Sequence, residues 1–320
     1  VTHEDVANST AFIERLGDDN AGAPNYGDGQ DEQLYQFQNP RIAYDPVNDR
    51  NYVSYYDAYS RTLKYAITDG TTETFTTSNG NLTSGNTVVD GLEDTGAPPT
   101  STGDDVGLWS SIQLDTSGGA DATAPIPVIM YYDSTNSTLK IARGNNSAPG
   151  NSTEWTVAEV FRADDPYRGT AGYYVDMKLD ASGNVHAVAY RVSTGDLLYI
   201  TATNVDGGGG GYTFSYSEIV DSEGAVGSWA DLDLVGSTPY ISYLSGNGIG
   251  TFAGLKMAYF DTVAGAWEHS VVATDSIVES MRTSIIARPS SGAWVTSTKG
   301  KVAIGYGGGT YNLVILEDEE

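Results

Sequence analysis

The sequence has 320 residues, with 42 acidic side chains against 16 basic ones, a formal charge of −26 and a pI of about 4.1. That balance excludes a nucleic-acid reader, which needs clustered Lys and Arg to neutralise phosphates, and it disfavours an anionic membrane surface. No apolar run approaches the ~20 residues that span a bilayer, and the lack of cysteine removes disulfides, thiolate metal sites and Cys nucleophiles together.

In chain order, the first predicted strand is 9–16, Ser-Thr-Ala-Phe-Ile-Glu-Arg-Leu. An acidic link follows, and then three short strands: 41–45 (Arg-Ile-Ala-Tyr-Asp), 52–57 (Tyr-Val-Ser-Tyr-Tyr-Asp) and 63–66 (Leu-Lys-Tyr-Ala), with a fourth around 87–89. The same phrase returns at 111–115, 128–133, 139–142 and 155–160, where Tyr-Tyr-Asp and Leu-Lys-Ile-Ala recur. It returns again at 176–180, 186–190, 197–200 and 214–220, and at 231–235, 240–243, 255–258 and 267–272. A last, degenerate copy runs through 284–288, 302–306 and 313–316 and lacks a fourth strand. With 22 Tyr and 38 Gly, aromatic and β-branched segments alternate with turn-forming ones, as short half-buried strands require.

A meander of four strands repeating every ~50–70 residues has the size of one propeller blade. The expectation is therefore an all-β, five-bladed β-propeller, a single domain over 1–320. Its blades fall near 38–90, 108–160, 173–220, 228–273 and 282–317, and strand 9–16 pairs with the C-terminal blade to close the ring and remove the open edges. The repeat phrase resembles those of secreted bacterial and archaeal β-propellers, and more distantly the five-bladed propellers of glycosidases. The resemblance implies an extracellular or cell-surface protein. No Asp-box of the sialidase type follows any third strand, and the residues from Val1 on show no basic region followed by an apolar stretch, as expected of a mature or trimmed form. Sequons at Asn8, Asn81, Asn136, Asn145 and Asn151 agree with such a location but arise readily by chance in a chain of this composition.

In a propeller the first strand of each blade lines the channel. Aligning those strands gives one ring of Arg41, Ser111, Asp176, Asp231 and Ser284. Two residues upstream, and on the same face if alternation is strict, lie Asn39, Trp109, Tyr174, Trp229 and Arg282. Large amphipathic aromatics beside charged groups suit a sugar or another planar ligand. The candidate ligand-binding set is therefore Asn39, Arg41, Trp109, Tyr174, Asp176, Trp229, Asp231 and Arg282. The same residues also read as packing between blades, with Arg41–Asp176 or Arg282–Asp231 ion pairs plugging a narrow channel.

Three functions follow. The leading one is a non-catalytic recognition or adhesion propeller that binds a glycan or surface-protein ligand at the channel mouth. The second, which the glycosidase resemblance implies, is a glycoside hydrolase using Asp176 and Asp231 as two of three inner-strand acids. The sequence departs from that pattern where Asn39-Pro-Arg41 stands in place of an Asp, and no Glu falls in the ring, Glu32 and Glu279 being the nearby substitutes. The third is a structural module of a surface fibre or layer. No cofactor is expected. Acidic links around Asp18–Glu32, Asp90–Asp105 and Asp164–Asp165 leave structural calcium open, although none has the spaced EF-hand pattern. Gly207 to Gly211 has neither a Lys nor a following helix and reads as a hairpin tip, not a phosphate loop. His3, His186 and His269 are too scattered for a hydrolase triad.

Overall fold

The computed structural model describes residues 37–58, 60–69, 87–91, 103–117, 124–161, 165–167, 171–204, 211–215, 217–246, 252–273, 283–288, 301–308 and 312–317. Strand 9–16, on which ring closure rests, Arg282 and the glycine run up to Gly210 lie outside them. The chain divides into two compact units, Val1–Glu159 and Val160–Glu320. Each is built from antiparallel sheets whose strands are neighbours in sequence. No described helix is long and apolar enough to cross a membrane.

The first unit holds two sheets. One is β1 (Phe37–Asp45), β2 (Arg50–Asp57), β3 (Thr62–Asp69) and β4 (Thr87–Asp90); the other is β5 (Val106–Asp115), β6 (Ile126–Asp133), β7 (Thr138–Gly144) and β8 (Trp155–Glu159). A single 3-10 turn, Ser152–Glu154, precedes β8 and is capped by Asn151, whose side chain accepts from the Thr153 amide. The burial gradient across each sheet explains the sequence pattern. β6 is buried along its whole length and reads as a continuous apolar run, whereas most of β8 is exposed. Tyr52, Leu63, Tyr65, Val106, Ile112, Ile129, Tyr131 and Trp155 form one core between the two sheets.

The second unit holds three sheets. The first comprises β9 (Ala171–Leu179), β10 (Val185–Arg191), β11 (Asp196–Asn204), β12 (Tyr212–Phe214) and β13 (Glu218–Asp221). The fourth strand expected over 214–220 is thus two pieces, β12 and β13, and both pair with β11. Next come β14 (Ala225–Val235), β15 (Thr238–Gly246), β16 (Phe252–Asp261) and β17 (Ala266–Ala273). The last sheet is β18 (Ser284–Arg288), β19 (Lys301–Gly308) and β20 (Asn312–Glu317). Val188, Leu197, Val226, Leu232 and Tyr243 join the first two sheets of this unit. Leu244, Leu255, Ile285 and Ala287 join the last two.

The recurring Tyr…Leu-Lys phrase has a physical purpose. Tyr131 and Lys140 stand opposite each other on β6 and β7. Both reach Asp90 at the end of the preceding sheet's outer strand: Tyr131 Oη donates to Asp90 Oδ2 at 2.7 Å, and Lys140 Nζ lies 3.2 Å from the same atom. The second unit repeats the arrangement. Tyr243 Oη and Lys256 Nζ both bond Asp221 Oδ2, at 2.7 and 2.6 Å, while the Glu223 amide donates to Oδ1. Burial pushes the Asp221 carboxyl up, but these donors outweigh it and hold it below the ordinary carboxylate range. In β10 and β11 the two positions are Ala189 and Leu198, both fully buried, so an apolar pair replaces the polar latch.

Candidate functional site

The first strand of each of the first four sheets carries the same irregularity. In β1 the register passes from Gln38↔Tyr56 to Arg41↔Ser54, three steps against two, so one residue is inserted. The same insertion falls between Leu108 and Ser111 in β5, between Tyr173 and Asp176 in β9, and between Ser228 and Asp231 in β14. The residues in these bulges with left-handed backbone are Asn39, Trp109, Tyr174 and Trp229, at φ of 54°, 50°, 53° and 52°. Asn tolerates that region, whereas Trp and Tyr occupy it at a cost of roughly 1–2 kcal/mol each. Three bulky aromatics held in that conformation at equivalent places are the most unusual backbone feature among the described residues.

The bulge also corrects an expectation. Strict alternation would set Trp109, Tyr174 and Trp229 on the same face as Ser111, Asp176 and Asp231. The inserted residue breaks the period of two between the rings and re-aims the aromatic. Trp109, Tyr174 and Trp229 are half-buried. The Tyr174 and Trp229 rings lie 4.5 Å apart between centroids, tilted by 40°, and Tyr190 and Tyr173 pack against Tyr174 at 6.0 and 6.4 Å. In the first unit Trp109 lies 5.7 Å from Tyr132. All three aromatic bulges read Gly-X-aromatic, at Gly107-Leu-Trp109, Gly172-Tyr-Tyr174 and Gly227-Ser-Trp229, but the same spacing also starts at Gly210, Gly250, Gly265, Gly292 and Gly309, so in the sequence it does not single the bulges out.

The acids lie just beyond the bulges. Asp176 is 5% exposed, and its Oδ2 accepts from the Leu232 amide on β14 at 3.0 Å. Asp231 Oδ2 accepts from the Ile285 amide on β18 at 2.8 Å, and Asp233 Oδ2 accepts from the Ala287 amide at 2.7 Å. Each carboxylate therefore ties its inner strand to the next one and is held in a fixed orientation by that bond. Asn39 and Arg41 are half-buried on β1, in the first unit.

Of the remaining candidates, His3, the link Asp18–Glu32, Glu32 itself, Asp164 and Glu279 lie outside the described residues, and the following described ones have partners elsewhere. His186 is buried on β10, and its Nδ1 shares a hydrogen bond with Tyr199 Oη, while Nε2 lies 3.6 Å from Asp180. Burial pushes the His186 imidazole below its usual range, and Asp180 opposes this only in part. Of the acidic links, Asp104 accepts from Asn136, Asp105 from Tyr56, and Asp165 from Tyr167 and Ser217. Asp221, Glu223 and His269 bring ligand atoms within 4.8 Å of one another, but both Asp221 oxygens already serve the latch.

No protein-family model matches the sequence, and no curated protein is similar to it. Among solved structures, similarity is found to an exo-β-1,3-galactanase from Clostridium thermocellum, at 13% identity and a TM-score of 0.49 over 88% of this chain. A thermostable family-43 glycoside hydrolase matches at 12% identity and a TM-score of 0.45, over 89% of this chain and 91% of its own. A Hadza microbial sialidase matches at 11% identity and a TM-score of 0.49 over 84% of this chain. The chain spans 59% of the galactanase and 53% of the sialidase. The similar structures include several family-43 glycoside hydrolases. These similar structures run against the expectation of a non-catalytic recognition and adhesion propeller, which is not taken further.

Proposed function

We propose that this chain is a carbohydrate-active protein of the glycoside hydrolase type, built on a five-bladed β-propeller. The observation that carries the proposal is the set of half-buried aromatics at left-handed bulges, with Asp176 and Asp231 two residues beyond Tyr174 and Trp229. Strained backbone concentrates where function needs a side chain in an unfavourable place. Aromatic faces of this kind stack on the apolar faces of sugar rings, and hydrolysis of the glycosidic bond needs two carboxyl groups. Asp176 and Asp231 are the carboxylates assigned to that chemistry. Ring closure through strand 9–16 belongs to the same proposal. Its support is the last sheet, which has three described strands, β18, β19 and β20, where each of the other sheets has four or five.

The test is release of reducing sugar from β-1,3-galactan, arabinan and xylan by the wild type, Asp176→Asn and Asp231→Asn. An Asn side-chain oxygen still accepts from the Leu232 or Ile285 amide, so both variants should fold. The wild type should hydrolyse at least one polymer, and each variant should lose about 10²-fold or more of that rate. Release that survives both substitutions, or a wild type inert on all three, rejects the proposal.

A further inference from the structure

The left-handed bulge is shared by four first strands, Asn39 included, so what sets the aromatic copies apart lies upstream of it. The residue two positions upstream is a glycine in each of the three aromatic copies. Gly107, Gly172 and Gly227 all have positive φ, 112°, 138° and 108°. Each marks a second insertion in the same strand, since the register shifts between Val106 and Leu108, between Ala171 and Tyr173, and between Val226 and Ser228. Two of these glycines touch the preceding sheet at matching places. A Cβ on Gly107 would lie 2.8 Å from the Leu63 Cα, and one on Gly227 would lie 2.9 Å from the Leu197 Cβ. The approach is sealed on either side by backbone hydrogen bonds, from the Val106 amide to the Arg61 carbonyl and from the Val226 amide to the Gly195 carbonyl. The other two copies make the contrast. Phe37 precedes Asn39 and Ser280 precedes Arg282, so where the glycine is missing the aromatic is missing too; β1 keeps the left-handed bulge at Asn39 and lacks only the second insertion.

We infer that Gly107, Gly172 and Gly227 are positioning residues for Trp109, Tyr174 and Trp229. The contact argument rests on Gly107 and Gly227 and extends to Gly172 by its place in the repeat. The bare Cα lets the strand close onto the Leu at the start of the neighbouring sheet's third strand. That approach, with the insertion beside it, fixes where the strand leaves the neighbouring sheet and so where the ring two positions on is placed. The part of the inference that concerns ligand binding rests on the carbohydrate reading above; the part that concerns ring placement does not.

The experiment uses the full chain and compares Gly227→Ala with Gly236→Ala. Gly236 also has positive φ, 64°, but an added Cβ there would meet nothing within 4 Å. It therefore reports backbone strain without the contact. Two signals are read: the near-ultraviolet circular dichroism of the Tyr174–Trp229 pair, and the affinity for galacto-, arabino- and xylo-oligosaccharides by calorimetry. Gly227→Ala should change the aromatic signal and weaken binding on the order of tenfold, whereas Gly236→Ala should alter neither. Equal effects of the two variants, or no effect of Gly227→Ala, overturn the inference. A wild type that binds none of the sugars removes the carbohydrate reading, and the dichroism still decides ring placement. Should Gly227→Ala not fold, Gly107→Ala takes its place, since an added Cβ there meets the Leu63 Cα at 2.8 Å in the same way. Its near-ultraviolet signal from the Trp109–Tyr132 pair should change; an unchanged signal overturns the inference.

Discussion

The Asp221 latch and the Trp229 bulge belong to the same unit and could hardly differ more. In the latch, Tyr243, Lys256 and the Glu223 amide converge on one buried carboxylate and the local chemistry is used up. In the bulge, a large ring sits on strained backbone, half-buried, beside a second ring. A fold invests in the first kind of feature for stability. It keeps the second kind where a surface must be presented to something else.

Substitutions should separate the two. Asp221→Ala leaves the Lys256 ammonium buried without its carboxylate and should cost about 3 kcal/mol or more, read as a lower denaturant midpoint, with sugar affinity unchanged in the remaining folded protein. A loss below about 1 kcal/mol would mean that the latch is not the stabilising element it looks like. Trp229→Asn should do the reverse. Its backbone strain is relieved, so stability should hold or rise slightly, while binding to the oligosaccharides falls on the order of tenfold.

How far the sequence could be read follows the same division. The latch was legible as a recurring phrase because the same Tyr and Lys answer the same carboxylate in different sheets, and chemistry that repeats leaves a repeating text. The first strands of the sheets were legible for the same reason. The bulges were not, because an insertion is a matter of register between strands, and alternation counts positions along one strand only. Gly107, Gly172 and Gly227 were no marker either, because a glycine two residues before an aromatic also stands at five other places in the chain. The tie from Asp176 to the Leu232 amide was invisible for another reason: a carboxylate bound to backbone leaves no partner side chain to recognise.

A smaller effect sharpens the comparison through pH. His186 is held neutral in the folded state by burial, with its pKa below the usual value. The unfolded chain takes up the proton near pH 6.5, so the contribution of this site is complete above that pH and is lost as pH falls from there towards the folded-state value. The wild type should lose stability between pH 7 and pH 5, and His186→Gln should flatten that part of the profile. Asp133 and Asp221 lie below the ordinary range: burial pushes each carboxyl up, but hydrogen bonds from Lys140 and Asn136 to the first, and from Lys256, the Glu223 amide and Tyr243 to the second, outweigh it. Their contribution is present above about pH 4 and is lost only below it. An unchanged slope between pH 7 and pH 5 in His186→Gln would reassign that loss to other groups.

The account turns on whether the bulge aromatics face a sugar. Co-crystals with galacto-, arabino- and xylo-oligosaccharides address this directly. Difference density should place a sugar ring within about 4 Å of the Trp109 or Trp229 indole, at van der Waals contact. Sugar density found only elsewhere on the molecule, with both indoles left bare, would contradict it.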